Sequence, residues 1–259
     1  MNRNPAVAGS FYPADPIELR TMLDHYLNEA QTDTKVPKAI IAPHAGYIYS
    51  GPIAASAYAR LKNARRRINR VVLMGPSHRV AFNGLAVSRA EVFNTPLGAV
   101  EVDQAAVSAL LALPFVDYNQ PAHALEHSLE VHLPFLQAAL ADFKLVPIVA
   151  GDATPKQVSE ALELLWGGDE TLIVISSDLS HYHSYATAQR LDQATSEAIE
   201  RLQFEQLTSD AACGKVPVTG LLKLLRQKSL PIKTIDLRNS GDTAGDKNRV
   251  VGYGAYVVD

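Results

Sequence analysis

Apolar positions along the chain follow two alternating rhythms. Short, continuously apolar, β-branched runs occur at Lys38–Ala42 (KAIIA), Val71–Met74 (VVLM) and Leu172–Ile175 (LIVI). A strand covered on both faces reads this way, because neither side of its pleat meets water. A fourth run, Phe143–Val149, contains Pro147, which has no N–H to give a ladder and so predicts a bulge or an edge position. Between these runs the apolar residues recur every three or four positions. Residues 15–30 predict a helix: Asp15 can cap it, Pro16 suits the first helical position, and Glu18 stands at the capping-box spacing. Ile17, Leu19, Met22, Leu23, Tyr26 and Leu27 supply its apolar face. Ile53–Lys62, Gln104–Leu113, Pro155–Trp166, Thr187–Leu202 and Val218–Gln227 predict further helices, and Ile232–Leu237 and Val250–Val258 further strands. Gly252 and Gly254 mark the last strand as one that a neighbour approaches closely. The alternation predicts one α/β domain over residues 1–259, three layers deep, with a largely parallel or mixed central sheet.

Each of the three buried-strand runs leads into a loop with a histidine: His44 in PHAGY, His78 in GPSH, and His181 in SSDLSH. Ligand sites of open α/β sheets lie beyond the carboxyl ends of the strands, so parallel strands would bring these imidazoles to one edge. Imidazole is the commonest protein metal ligand and titrates near neutrality. A second cluster, Glu126-His127-Ser128-Leu129-Glu130-Val131-His132, puts His127 and Glu130 three apart, on a shared helical face. It is either the wall of a site or a capped helix start with a solvated face. Cys213 lies shortly before a predicted helix start, with Lys215 beside it. That setting favours a thiolate, whereas the ordinary role of a free cysteine is that of a small buried hydrophobe.

Composition narrows the classes. The 259 residues carry a net charge of −3, and one cysteine stands beside eight histidines. An intrachain disulfide is therefore impossible, and a nucleic-acid partner is not expected. Arg65, Arg66 and Arg67 form the one dense basic run, read as a solvated turn. No apolar stretch approaches the ~20 residues of a membrane span. The opening MNRNPAVAGSFYPADP lacks the apolar core of a signal peptide, and a cytoplasmic location is expected. HExxH, GxxxxGK[ST] and a GxGxxG after a strand are all absent from the sequence.

Ala8-Gly9-Ser10-Phe11-Tyr12, Ile41-Ala42-Pro43-His44-Ala45-Gly46-Tyr47, Gly75-Pro76-Ser77-His78, EHSLEVHLP from Glu126 to Pro134, Ser176-Ser177-Asp178 with His181, and Cys213-Gly214 occur in that order. In these motifs, which span nearly the whole chain, the sequence resembles Memo-like proteins. The resemblance implies the fold of class III extradiol dioxygenases, which hold non-haem Fe(II) with two His and one Glu. It implies a site of two His and one Cys instead, mapping onto His44, His78 and Cys213. Iron or copper is then favoured, with zinc possible, and redox activity follows. Eukaryotic relatives are described as phosphotyrosine-peptide readers in cell motility. Microbial ones are grouped with a radical-SAM protein, an association expected here by analogy.

A thiolate in place of the dioxygenase carboxylate favours softer metals, so extradiol ring cleavage does not transfer. The leading expectation is a mononuclear metal oxidoreductase acting on a small molecule. In it His181 serves as general acid or base, and Asp178 orients an imidazole. His127, Glu130 and His132 line the pocket, and Tyr47 and Tyr49 touch substrate. The alternatives are a non-catalytic module that binds a short peptide or protein partner in the same pocket, and a zinc-dependent hydrolase.

Overall fold

Asp15 caps the first helix, its carboxylate accepting the N–H groups of Ile17 and Glu18, and Pro16 opens it. The computed structural model describes residues 1–259 apart from Thr32 and Thr34. Its helices are α1 (Pro16–Glu29), α2 (Tyr47–Tyr58), α3 (Gln104–Leu110), α4 (Gln120–Ala124), α5 (His127–Glu130), α6 (Leu133–Ala139), α7 (Pro155–Leu164), α8 (Tyr185–Glu200) and α9 (Lys215–Lys228). Its strands are β1 (Asn2–Arg3), β2 (Ala39–Ala42), β3 (Arg70–Pro76), β4 (Leu85–Val87), β5 (Val92–Thr95), β6 (Gly98–Glu101), β7 (Val116–Tyr118), β8 (Lys144–Ala150), β9 (Thr171–Ser176), β10 (His181–His183), β11 (Lys233–Asn239) and β12 (Val250–Val258).

A mixed sheet runs in the order β10-β12-β2-β9-β3-β8-β4-β7, with β11 also paired to β12. Its centre is parallel: β2 with β9, β9 with β3, and β3 with β8. β4 runs antiparallel to β8, and β12 antiparallel to β2. Every residue of β2 and β9 is buried, as their unbroken apolar runs require. On one side α1, α2 and α6 pack together. α7, α8 and α9 form the other group, with α9 against β3 and β9 and α8 against β11 and β12. The result is a three-layer α/β fold. A small sheet, β1-β5-β6, ties the first residues of the chain to the hairpin after β4. Arg65, Arg66 and Arg67 are exposed in a turn, as their density predicts. Among the described residues no helix is long and apolar enough to cross a membrane.

Pro147 departs from its expected edge or bulge position. β8 lies inside the sheet, and Pro147 pairs in register with Leu73. The strand tolerates it because β4 pairs only with Ile148, Val149 and Ala150. The ladder on that side has ended where the missing N–H would be needed.

Gly252 behaves as its position in β12 predicts. A Cβ there would lie 2.0 Å from Asp192 Oδ2 on α8. Asp192 in turn accepts the Ser180 N–H at 3.0 Å, at the turn that leads into β10. Gly252→Ala is expected to destabilise the chain by about 1–3 kcal/mol through overpacking. Urea unfolding should show the lower midpoint; an unchanged midpoint would contradict this packing.

Candidate metal centre

Parallel pairing delivers His44 and His78 to one edge of the sheet, two residues beyond the ends of β2 and β3. Their rings meet at 5.1 Å between centroids. Hydrogen bonds fix how each ring is presented. Ser176, the last residue of β9, donates its hydroxyl to the Ser128 carbonyl at 2.6 Å. Its oxygen therefore accepts from His44 Nδ1–H, also at 2.6 Å. The lone pair of His44 is left on Nε2, which lies 3.3 Å from Cys213 Sγ. Glu126 does the same for His78 with a charge. One carboxylate oxygen accepts the His78 main-chain N–H at 2.6 Å, and the other accepts Nδ1–H at 2.8 Å. Committing Nδ1 in this way sets the tautomer that offers Nε2 to a metal.

Cys213 stands one residue before Gly214, the N-cap of α9. Gly214 is required there: a Cβ would lie 2.4 Å from the Ser176 carbonyl oxygen. The thiol is pressed against the end of β9 and receives the Asp178 N–H at 3.3 Å. Burial, and then the nearby Asp178, push its pKa up. Burial, with His78 and His127 alongside, holds His44 well below the usual imidazole range. The pair thus consists of a neutral imidazole and a thiol that a bound cation would have to deprotonate. One donor atom from each of His44, His78 and Cys213 lies within 4.8 Å of the others. Two nitrogens and one sulfur at that separation can close on a single soft or borderline cation.

His78, Glu126 and His127 form a second group of the same compactness. Glu126 is a brace within it, because its oxygens already accept two N–H groups of His78 and that of Ser128. Those bonds hold its pKa at about 2 despite burial. His127 stacks on His78 with centroids 4.6 Å apart. Around the donors is a cleft of about 720 Å³, walled by Phe11, His127, His181, Tyr182 and Asp210 together with Asp178.

Residues 3–257 match the family model described as Memo-like protein. A MEMO1 family protein of Aquifex aeolicus is 38% identical, with 97% of each chain covered. One from Ignicoccus hospitalis is 37% identical over 98% of this chain and 97% of its own. The chain belongs to the Memo-like family. The crystal structure of an uncharacterized protein from Escherichia coli K12 shares the fold, with a TM-score of 0.54 at 14% identity, over 86% of this chain and 100% of that one.

Not every residue expected at the Memo-like site reaches it. Glu130 is fully buried away from the cleft, where its carboxylate takes Arg3, the N–H groups of Ala6 and Val7, and the Tyr12 hydroxyl. His132 is buried against the Tyr58 hydroxyl, at 2.8 Å. Tyr47 is buried and donates to the Val131 carbonyl. Tyr49 is half-buried against the core and does not line the cleft. His127 walls the cleft, whereas the N-terminal arm draws Glu130 into its own hydrogen bonds. Asp178 orients His44 through the main-chain N–H, at 2.8 Å, while the imidazoles are oriented by Ser176 and Glu126. His181 does wall the cleft, carried there by β10 after the chain turns back beyond β9. Ser176 and Glu126 lie within the quoted motifs, but nothing local distinguishes them from their neighbours.

Two further histidines of the Memo-like chain are structural. Burial lowers His123 to about 4 and His132 to about 3. In the unfolded chain both return to about 6.5. Below that pH the unfolded chain takes up protons that the native one refuses, so stability falls as pH drops from about 6.5 toward 4. At about 1.4 kcal/mol per pKa unit the two together withdraw several kcal/mol. Urea midpoints measured from pH 7 to pH 4 should fall less steeply in a His123→Gln, His132→Gln variant than in the parent; equal slopes would contradict these assignments.

Proposed function

We propose that this Memo-like chain is a mononuclear iron or copper oxidoreductase that acts on a small molecule in the His181-walled cleft. The observation that carries the reading is the convergence of His44 Nε2, the His78 ring and Cys213 Sγ, with Nδ1 of both imidazoles already spent on Ser176 and Glu126. Bound by two imidazoles and a thiolate, iron or copper supplies one-electron redox chemistry at the floor of the cleft. The chain's own groups do the rest. Cys213 would hold the cation as a thiolate, which requires that it lose the proton that burial otherwise keeps on the thiol. Glu126 makes His78 a more basic donor than a hydroxyl partner would. His181 is half-exposed on the wall, a position that supports a role as general acid or base toward the substrate. Phe11 and Tyr182 supply apolar surface beside it.

Soft sulfur in the donor set argues against ring cleavage of the extradiol type and for electron transfer or oxidation. Anaerobically purified protein is expected to hold about one iron or copper per chain by elemental analysis, and to consume oxygen with a catechol or a reductant. The His78→Ala, Cys213→Ser variant should lose both. Metal content unchanged in that variant would sink the proposal. Zinc alone, with hydrolysis and no oxygen uptake, would replace it with a hydrolase. Peptide binding indifferent to metal would replace it with a binding module.

A further inference from the structure

Arg3 is a buried guanidinium that does not line the cleft, with 4% of its surface exposed. Its planar fork serves three acceptors on one segment. Nε donates to the His123 carbonyl at 2.7 Å, one terminal nitrogen to the Glu126 carbonyl at 2.6 Å, and the other to the Glu130 carboxylate at 2.8 Å. These acceptors bracket the short link between α4 and α5 from both sides. Only Leu125 and Glu126 lie in that link, and Leu125 is 58% exposed. Side-chain packing at Leu125 therefore does not hold the link in place.

Glu126 faces both ways. Its carbonyl is held by Arg3, and its carboxylate holds the main chain and ring of His78. Arg3 is itself anchored, paired with Phe93 across β1 and β5 and lying 5.2 Å from that ring. Its partner Glu130 is saturated by Ala6, Val7 and Tyr12. A buried ion pair of this kind gives little net stability over a well-packed apolar pair, so its presence calls for another role.

We propose that Arg3 is a positioning residue for the metal centre, which fixes the His78 imidazole by clamping the Glu126 link from behind. The role rests on the metal-centre reading given above. Lysine cannot substitute for it, because a single ammonium does not reproduce a planar fork shared among three fixed oxygens.

The test is an anaerobic titration with Co(II) alone, followed by visible absorption, on the full chain. Arg3→Met is expected to weaken Co(II) binding by about 10- to 100-fold, the usual cost of losing support behind a ligand. Its ligand-field bands should move toward those of His78→Ala, while the Cys213 thiolate charge-transfer band persists. Arg3→Lys, which keeps a charge opposite Glu130, should fall between Arg3→Met and the parent, and it carries the comparison if Arg3→Met does not fold. Arg60→Met is the control: it removes another buried guanidinium, one that holds the Lys35 carbonyl and Asp259. It should keep the parent's affinity and spectrum whatever its melting temperature. Parental affinity and spectrum in the Arg3 variants, with only a lowered melting temperature, would overturn the proposal. A parent chain that binds no Co(II) would overturn the metal-centre reading and this role with it.

Discussion

Parallel pairing of β2 with β9 and of β9 with β3 places three strand ends side by side. Neighbouring strands lie about 4.8 Å apart, so β2 and β3 stand about 10 Å apart with β9 between them. The loops after β2 and β3 lean inward over the end of β9 until the His44 and His78 rings come within 5.1 Å. β9 supplies the floor. Ser176 holds the His44 ring, and Asp178 holds its main chain and gives its own N–H to Cys213. The donor atoms cannot be brought together without this strand order, because no two of them are near in sequence.

Ser128 joins the supports of the two imidazoles. Its carbonyl receives the Ser176 hydroxyl that sets His44, and its N–H reaches the Glu126 oxygen that sets His78. Its own hydroxyl closes on the Pro76 carbonyl at the end of β3. The one-turn helix α5 and the link before it therefore act as a single brace for both histidines. That brace is anchored to the start of the chain through Arg3 and Glu130. The two rings are supported unequally, by a neutral hydroxyl for His44 and by a carboxylate for His78. The second is the stronger donor.

Much of this could be read along the chain. KAIIA, VVLM and LIVI are apolar on both faces of the pleat, which marks them as interior strands, and their following loops share an edge because the strands pair in parallel. That reading singles out His44, His78 and His181 as candidates at that edge, and the Memo-like resemblance picks His44 and His78 from them as the metal pair. The Memo-like motifs raised Cys213 to a ligand candidate, where its local setting alone leaned toward a small buried hydrophobe. The rest depends on partners distant in sequence. Glu126 and Glu130 lie one turn apart in the same polar segment, and only the folded N-terminal arm decides that one faces His78 and the other Arg3. Pro147 reads as a bulge or edge residue because the end of the β4 ladder is invisible in sequence. Tyr47 and His132 look like site residues by type, but the Tyr47 hydroxyl is spent on the Val131 carbonyl and His132 Nδ1 on the Tyr58 hydroxyl, both in the core.

The central claim is that two imidazole nitrogens and one thiolate converge on a single cation. Zinc-loaded protein examined by X-ray absorption at the metal edge tests it most directly. The account predicts one sulfur scatterer at about 2.3 Å and two imidazole nitrogens at about 2.0–2.1 Å. The sulfur contribution should vanish in Cys213→Ser. A shell of nitrogen and oxygen alone in the unaltered chain would contradict it.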